Sequence, residues 1–286
     1  MPGTAAPAKG FLLIEQPGGW GRQALTSSGL DPAVGAAVSA RAISAGLRAL
    51  LIRRPGRRPA LARRAWAVVD ARQGREVSRW GTFGADVELL SVPLSGRAGS
   101  PASEPIYLVC THGRHDACCA IEGRPVAEAI ARLRPDATWE CSHVGGDRFA
   151  ANVVVLPHGI TYGRVPVSRA GELVTAHDRG ELLPDLLRGR CTEVPATQAA
   201  VAHVRLTTGA VGIDAVAAAG TLRLGEGRWQ VRVRTAAASY LVSLRGDSGP
   251  AAGLLTCHAR VAARPPSFVV ESVRPESLPR ATPPGG

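Results

Sequence analysis

Lysine, methionine and aromatic side chains are nearly missing from this chain of 286 residues. Lys9 is its one lysine, Met1 its one methionine, and aromatics make up 4%. Sparse aromatics and the lack of a recognisable binding motif argue against nucleic acid as a partner. No apolar run approaches the ~18–20 residues of a membrane span. The opening "MPGTAAPAKGFLLIEQPGG" has one basic residue, a short apolar stretch and no cleavage pattern, so no signal peptide is expected. A cytoplasmic, reducing setting follows from that reading, and there clustered cysteines bind metal or do redox chemistry more often than they staple a fold. No paired-carboxylate constellation suggests sugar hydrolysis.

Apolar residues, by contrast, are plentiful at 45%, and mean hydropathy is +0.04, as in a globular protein. Net charge is +11, from 34 basic and 23 acidic residues. The densest basic stretch is "RRPGRRPALARR", residues 53–64. It reads as a solvated, proline-containing loop, or as a docking patch for an acidic redox partner.

The pattern of elements suggests an α/β fold with two similar halves and a third segment. Residues 10–100 open with the strand "FLLIEQ" (11–16) and a "PGGWGR" loop. Asp31–Pro32 then starts a helix running to about Leu47. "LRALLIRR" is a second strand, and residues 65–81 form a hairpin turning near Gln73–Gly74. "GADVELLSV" closes the unit as a helix. Residues 104–190 repeat this order: strand 106–110, a cysteine-rich loop, helix 123–134 with Pro125 at its start, and strand 137–143. A hairpin over 151–165 turns at Pro157–Gly159, and a closing helix runs from Gly171 to about Leu187. Strand–helix–strand–hairpin–helix is the thioredoxin-like order, so the halves read as divergent copies, or as ordinary α/β recurrence. Residues 195–274 suggest a small α+β segment, with a short helix and a hairpin in "GRWQVRVRTAAASYLVSLRG". Residues 1–9 and the tail 275–286 read as loose ends, the tail as disordered.

Candidate ligands gather in two loops that each follow a strand. "YLVCTHGRHDACCA" (107–120) holds Cys110, His112, His115, Cys118 and Cys119, three of the six cysteines. "ECSHVGGDRF" (140–149) holds Cys141, His143 and Asp147. Adjacent strands would bring the loops together into a four-coordinate site. The start of the following helix would favour thiolates there. Gly145 and Gly146 permit a tight reversal. Cys118 and Cys119 are adjacent and should diverge, which makes Cys118 a packing residue. His112, His115 and Asp116 read as surface groups or supports for the ligands. Cys141 lies within a strand, and Cys191 and Cys257 lie far off; each reads as a buried cysteine.

"CTHGRHDACCA", "GRPVAEAI", "WECSHVGGDRFAANVVVLPHGITYGRV", the opening "GTAAPAKGFLLIEQPGGWG", and the late "LLTCHA" and "PPSFVVESV" resemble the sucrase/ferredoxin-like family. The resemblance runs over about residues 3–274. It implies a thioredoxin-like ferredoxin unit at 104–190 and a [2Fe–2S] cluster held by two cysteines and two histidines. Cys110 and Cys119 match the cysteines, and His143 matches the first histidine of an H-x-G-G-H loop. The second histidine falls on Asp147. Asp147 is then the fourth ligand, or Cys141 replaces it, or the cluster is labile or absent. The implied role is one-electron transfer, the protein acting as a carrier rather than a stand-alone enzyme. Two rivals remain. A thiol–disulfide oxidoreductase suits the thioredoxin-like order but lacks C-x-x-C. A structural zinc module suits two thiolates, a histidine and a carboxylate. "GDSGP" (246–250) and "TAHD" (175–178) echo serine-protease motifs, but too little chain separates them for that fold.

Overall fold

A computed structural model describes the chain except residues 57–61, 96–97, 248–252, 258, 264–266 and 277–286. Its centre is a mixed sheet of ten strands, accompanied by a second, antiparallel sheet of four. The first ten strands are β1 (Gly10–Glu15), β2 (Leu47–Arg53), β3 (Arg64–Asp70), β4 (Val77–Phe83), β5 (Ser100–Ala102), β6 (Ile106–Cys110), β7 (Thr138–Cys141), β8 (Val153–Leu156), β9 (Ile160–Tyr162) and β10 (Leu187–Arg190). The helices are α1 (Pro32–Ser44), α2 (Ala117–Leu133), α3 (Ala170–Asp178) and α4 (Pro195–Thr208). The order across the large sheet is β10-β9-β8-β6-β7-β2-β1-β3-β4-β5.

The halves follow one plan. In the first, β2 lies parallel to β1, and β3 and β4 follow antiparallel. In the second, β7 lies parallel to β6, and β8 and β9 follow antiparallel. They join where β2 meets β7, in an antiparallel seam that pairs Ile52 with Cys141 and Arg53 with Glu140. The Arg53–Glu140 ion pair at 2.7 Å and the bond from Ser142 N to Leu51 O at 2.8 Å reinforce it.

Apolar runs in β1 and β6 explain their central places, since strands covered on both faces show no polar alternation. All six residues of β1 and all five of β6 are buried. Leu12 and Ile14 pack with Val38 and Ala42 of α1. Phe11 and Leu13 face the other way, into a cluster that also takes Leu108, Cys110 and Trp139 from the second half. The apolar core therefore crosses the seam.

α1 starts as read, with Asp31 Oδ1 accepting from Ala33 N and Val34 N and with Pro32 at its first position. It stops at Ser44, and Leu47 belongs to β2, because Gly46 turns the chain at φ +74°. Both hairpins fall where read, around Gly74 (φ +77°) and Gly159 (φ +65°).

Four expectations are corrected. α2 begins at Ala117, not 123, because Asp116 caps it by accepting from Cys118 N; Pro125 lies inside the helix. "GADVELLSV" forms only a short 3-10 turn at Asp86–Ser91, with Pro93 just beyond. α3 ends at Asp178, since Gly180 takes φ +70°, and β10 follows where more helix was expected. Residues 3–8 are not loose. Gly3 N donates to Arg188 O at 3.0 Å, Ala8 N to Cys191 O at 2.8 Å, and Ala5 N to Gln198 Oε1 at 3.0 Å.

The third segment is the smaller sheet, β11 (Val216–Gly225), β12 (Arg228–Thr235), β13 (Ser239–Gly246) and β14 (Phe268–Glu276), in that order. Ala200, Val201 and Val204 of α4 pack on Val231, Val233, Val242 and Leu244. Pro275 and Glu276 belong to β14, so the part of the expected tail at 277–286 lies outside the described residues, as does most of "GDSGP".

In its described part the arginine stretch is partly engaged within the protein and partly exposed, Arg63 being exposed. Arg53 pairs with Glu140 and Arg64 with Asp86. Arg54 lies 3.6 Å over the Trp139 ring, and Arg63 Nε donates to Thr82 Oγ1 at 3.0 Å. Arg57 and Arg58 lie outside the described residues.

Candidate metal centre

β6 and β7 are parallel neighbours, so the loops leaving their C-terminal ends emerge side by side. Cys110 is the last residue of β6 and pairs across the ladder with Cys141. After a five-residue turn and the Asp116 cap, the first turn of α2 presents Cys119. Gly123 lets α2 lie this close: a Cβ there would meet Cys110 O at 2.1 Å. The second loop reverses at Gly145 (φ +89°) and Gly146 (φ +83°) and so brings Asp147 back towards His143.

Three of the expected residues converge. Ligand atoms of Cys110, Cys119 and His143 lie within 4.8 Å of one another. Cys119 Sγ is 3.9 Å from His143 Nδ1 and 3.7 Å from Asp147 Oδ1. His143 Nδ1 is 3.0 Å from Asp147 Oδ1. Cys110 and Cys119 are fully buried, while the His143 side chain keeps 18% of its surface exposed. Cys141 is buried beside Cys110 in the apolar core and is not among the groups of clustered ligand atoms in the described residues.

His115 joins the site, where the sequence suggested only a supporting or surface role. Its ring stacks on His143 at 3.9 Å, and its ligand atom groups with those of His143 and Asp147 within 4.8 Å. Its place in a loop already dense in ligand-type residues was the available signal. His112 is a support, as expected. Its Nε2–H donates to Gly21 O at 2.7 Å, so Nδ1 is the unprotonated nitrogen that accepts from His143 N at 3.3 Å. Burial holds the His112 ring below its ordinary pKa, in keeping with that neutral form.

Charge in the site is divided unevenly. A hydrogen bond from Cys119 holds the Cys110 thiol well below its ordinary pKa against the cost of burial, and His143 adds to the effect. Cys119, as the donor, is raised. Burial disfavours protonated His143, but Asp147 and Cys110 outweigh it and raise the ring to about 9. Burial, then the charge of Cys110, pushes Cys141 up.

Two arginines that nothing in the sequence marked support the loop from behind. Arg188, 1% exposed, donates through Nη1 to Gly145 O at 2.9 Å and to Asn152 Oδ1 at 2.7 Å, and also bonds Thr4 O. Arg48 Nη1 donates to Val144 O at 2.8 Å. Arg48 lies in β2, so the cysteine-free first half contributes to the site. It also borders the opening, since Arg22 and Arg48 line a cleft with His112, His115 and His143.

The remaining cysteines diverge from expectation in one case. Cys191 is buried as expected, and Cys257 is exposed rather than packed in a core. Cys118 does turn away from Cys119, grouping with Asp116 and Cys257 instead.

The fold and site define a mixed α/β protein with a potential thiolate–imidazole–carboxylate metal centre. A family model described as sucrase/ferredoxin-like matches residues 1–189, and the chain belongs to that family. The match takes in both strand-end loops and Arg188, and stops before α4 and the small sheet. No curated protein and no solved structure matches the chain. No helix among the described residues is long and apolar enough to cross a membrane.

Proposed function

We propose that the protein is a one-electron carrier holding a [2Fe–2S] cluster through Cys110, Cys119, His143 and Asp147. The observation that carries this reading is the meeting of a thiol pair with an imidazole–carboxylate pair, one from each loop. Two pairs of donors fit the needs of two irons. When bound, such a group supplies reversible one-electron transfer between its iron ions. The chain's part is to bind and to tune. Cys110 and Cys119 bring thiolate sulfur in a site that largely excludes water. The buried Arg188 guanidinium adds positive charge behind the loop. Replacing two thiolates by imidazole and carboxylate reduces the sulfur donation to iron, so a potential above that of plant-type ferredoxins is expected. The partly exposed His115 and His143, which line the cleft, are where a redox partner would approach.

We also read each half as one copy of a thioredoxin-like unit, the first without ligands. The shared strand order and directions support this reading, and every cysteine lies at residue 110 or later.

A zinc module is the second reading, favoured by the 3.0–3.9 Å spacings among His143, Asp147 and Cys119, which suit the shell of one tetrahedral ion. Anaerobic purification, followed by iron, sulfide and zinc analysis and low-temperature EPR of the dithionite-reduced protein, separates the two. Two irons and two sulfides per chain with a reduced-state signal are expected. Asp147→Ala should weaken retention by about tenfold or more, whereas Cys141→Ala should leave it unchanged. Zinc at one per chain, without sulfide, overturns the carrier reading.

A further inference from the structure

We infer that Cys118 and Cys257 form a second redox site, a dithiol that closes to a reversible disulfide and ties the β13–β14 connection to the first turn of α2. Consecutive helical residues point about 100° apart, so Cys119 cannot face the metal centre and bring Cys118 with it. Cys118 instead meets a segment far along the chain. Asp116 holds the two together: its Oδ1 accepts from Cys118 N at 3.0 Å, and its Oδ2 accepts from Cys257 N at 2.6 Å. One fully buried carboxylate thereby reaches a backbone 141 positions further along the chain and sets two cysteine backbones side by side. Both sulfurs and a carboxylate oxygen lie within 4.8 Å of one another. Closing the bond, at about 2.05 Å, requires the two side chains to rotate towards each other from that separation.

A metal ion is the competing occupant of these three groups. Both Asp116 oxygens already accept from backbone N–H groups, and the Cys118 thiol is already hydrogen-bonded to the Cys257 sulfur, which favours the dithiol. Cys257 is exposed and Cys118 partly so, which admits a reagent. The oxidant is a small disulfide such as oxidised glutathione. The Cys257 thiolate attacks one glutathione sulfur, forming a mixed disulfide and expelling a glutathione thiolate. The Cys118 thiolate then attacks the Cys257 sulfur of that intermediate, forming the protein disulfide and expelling the second glutathione thiolate. The two protein thiols lose two protons and two electrons, and the electrons leave on two molecules of reduced glutathione. Excess thiol reverses both steps. This pair does not depend on what Cys110, Cys119 and His143 hold.

The test uses the native full-length protein, incubated with oxidised glutathione, then denatured, thiol-blocked and digested for mass spectrometry. The expected product joins the Cys118 and Cys257 peptides, two hydrogens lighter than their sum, and dithiothreitol removes it. Two of the six cysteines should escape blocking; Cys257→Ser should restore blocking of Cys118, and Cys118→Ser should trap Cys257 as its glutathione adduct. Three results would overturn the proposal: glutathione adducts without a cross-link, a cross-link that survives in Cys118→Ser, or zinc bound by the wild type and lost in Cys257→Ser.

Discussion

Single residues at the site differ in how far their chemistry shows in the sequence. Cys110, Cys119 and His143 were singled out through the family resemblance, and the structure brings their ligand atoms together. Arg188 was not, since a buried arginine in "LLRGRC" looks like any surface arginine until its carbonyl partners are known. Arg188→Met should therefore cost about 3 kcal/mol in urea unfolding, as Gly145 O and Asn152 Oδ1 lose their donor while buried. His177 offers a pH test remote from the metal centre. Burial, with a smaller contribution from His158, lowers its pKa to about 4, and its Nε2 lies 2.9 Å from Tyr162 Oη. The unfolded ring, at its ordinary value near 6.5, binds a proton that the folded ring refuses. Stability is then full above pH 6.5 and falls as pH drops towards 4, by at most about 3 kcal/mol. Thermal melts from pH 7 to 4 should show that decline in the wild type and a shallower one in His177→Gln.

At the scale of elements, propensity located the strands and turns, while local capping decided what it could not. The start of α2 depended on the Asp116 side chain reaching Cys118 N, and the end of α3 on Gly180 at φ +70°. Neither follows from apolar periodicity, which is blind to side-chain caps and to a single left-handed residue. Strand β10 escaped notice because "LRGR" has no alternation to read, although all four residues are buried. The contact between α2 and β6 is where element packing meets the site. Gly123→Ala would put a methyl group 2.1 Å from Cys110 O, so the helix must back away and carry Cys119 with it. The expected cost is about 1–3 kcal/mol, together with reduced metal retention. Urea unfolding alongside metal analysis checks both, and unchanged retention would show that the cysteine pair tolerates the shift.

For the whole molecule, a repeated strand order runs through one sheet, and that single sheet was not legible, because nothing local announces that β2 will pair with β7. The cluster running from Phe11 and Leu13 through Leu108 to Trp139 makes each half incomplete alone. Residues 1–103 and 104–190 produced separately should therefore be unfolded or aggregated, and recover dispersed amide NMR signals only when combined. Two independently well-dispersed spectra would contradict a shared core. The stitched N-terminal strap has a consequence for biosynthesis. Ala5 waits for Gln198, a partner 193 positions downstream, and Gly3 waits for Arg188. While a ribosome is still extending the chain, residues 3–5 have nowhere to dock, and the guanidinium that props the second loop has not been made. On the proposed function, loading of the candidate centre is thus deferred until translation has passed α4, and a nascent chain stalled before that point should fail to hold metal however complete its cysteine loop.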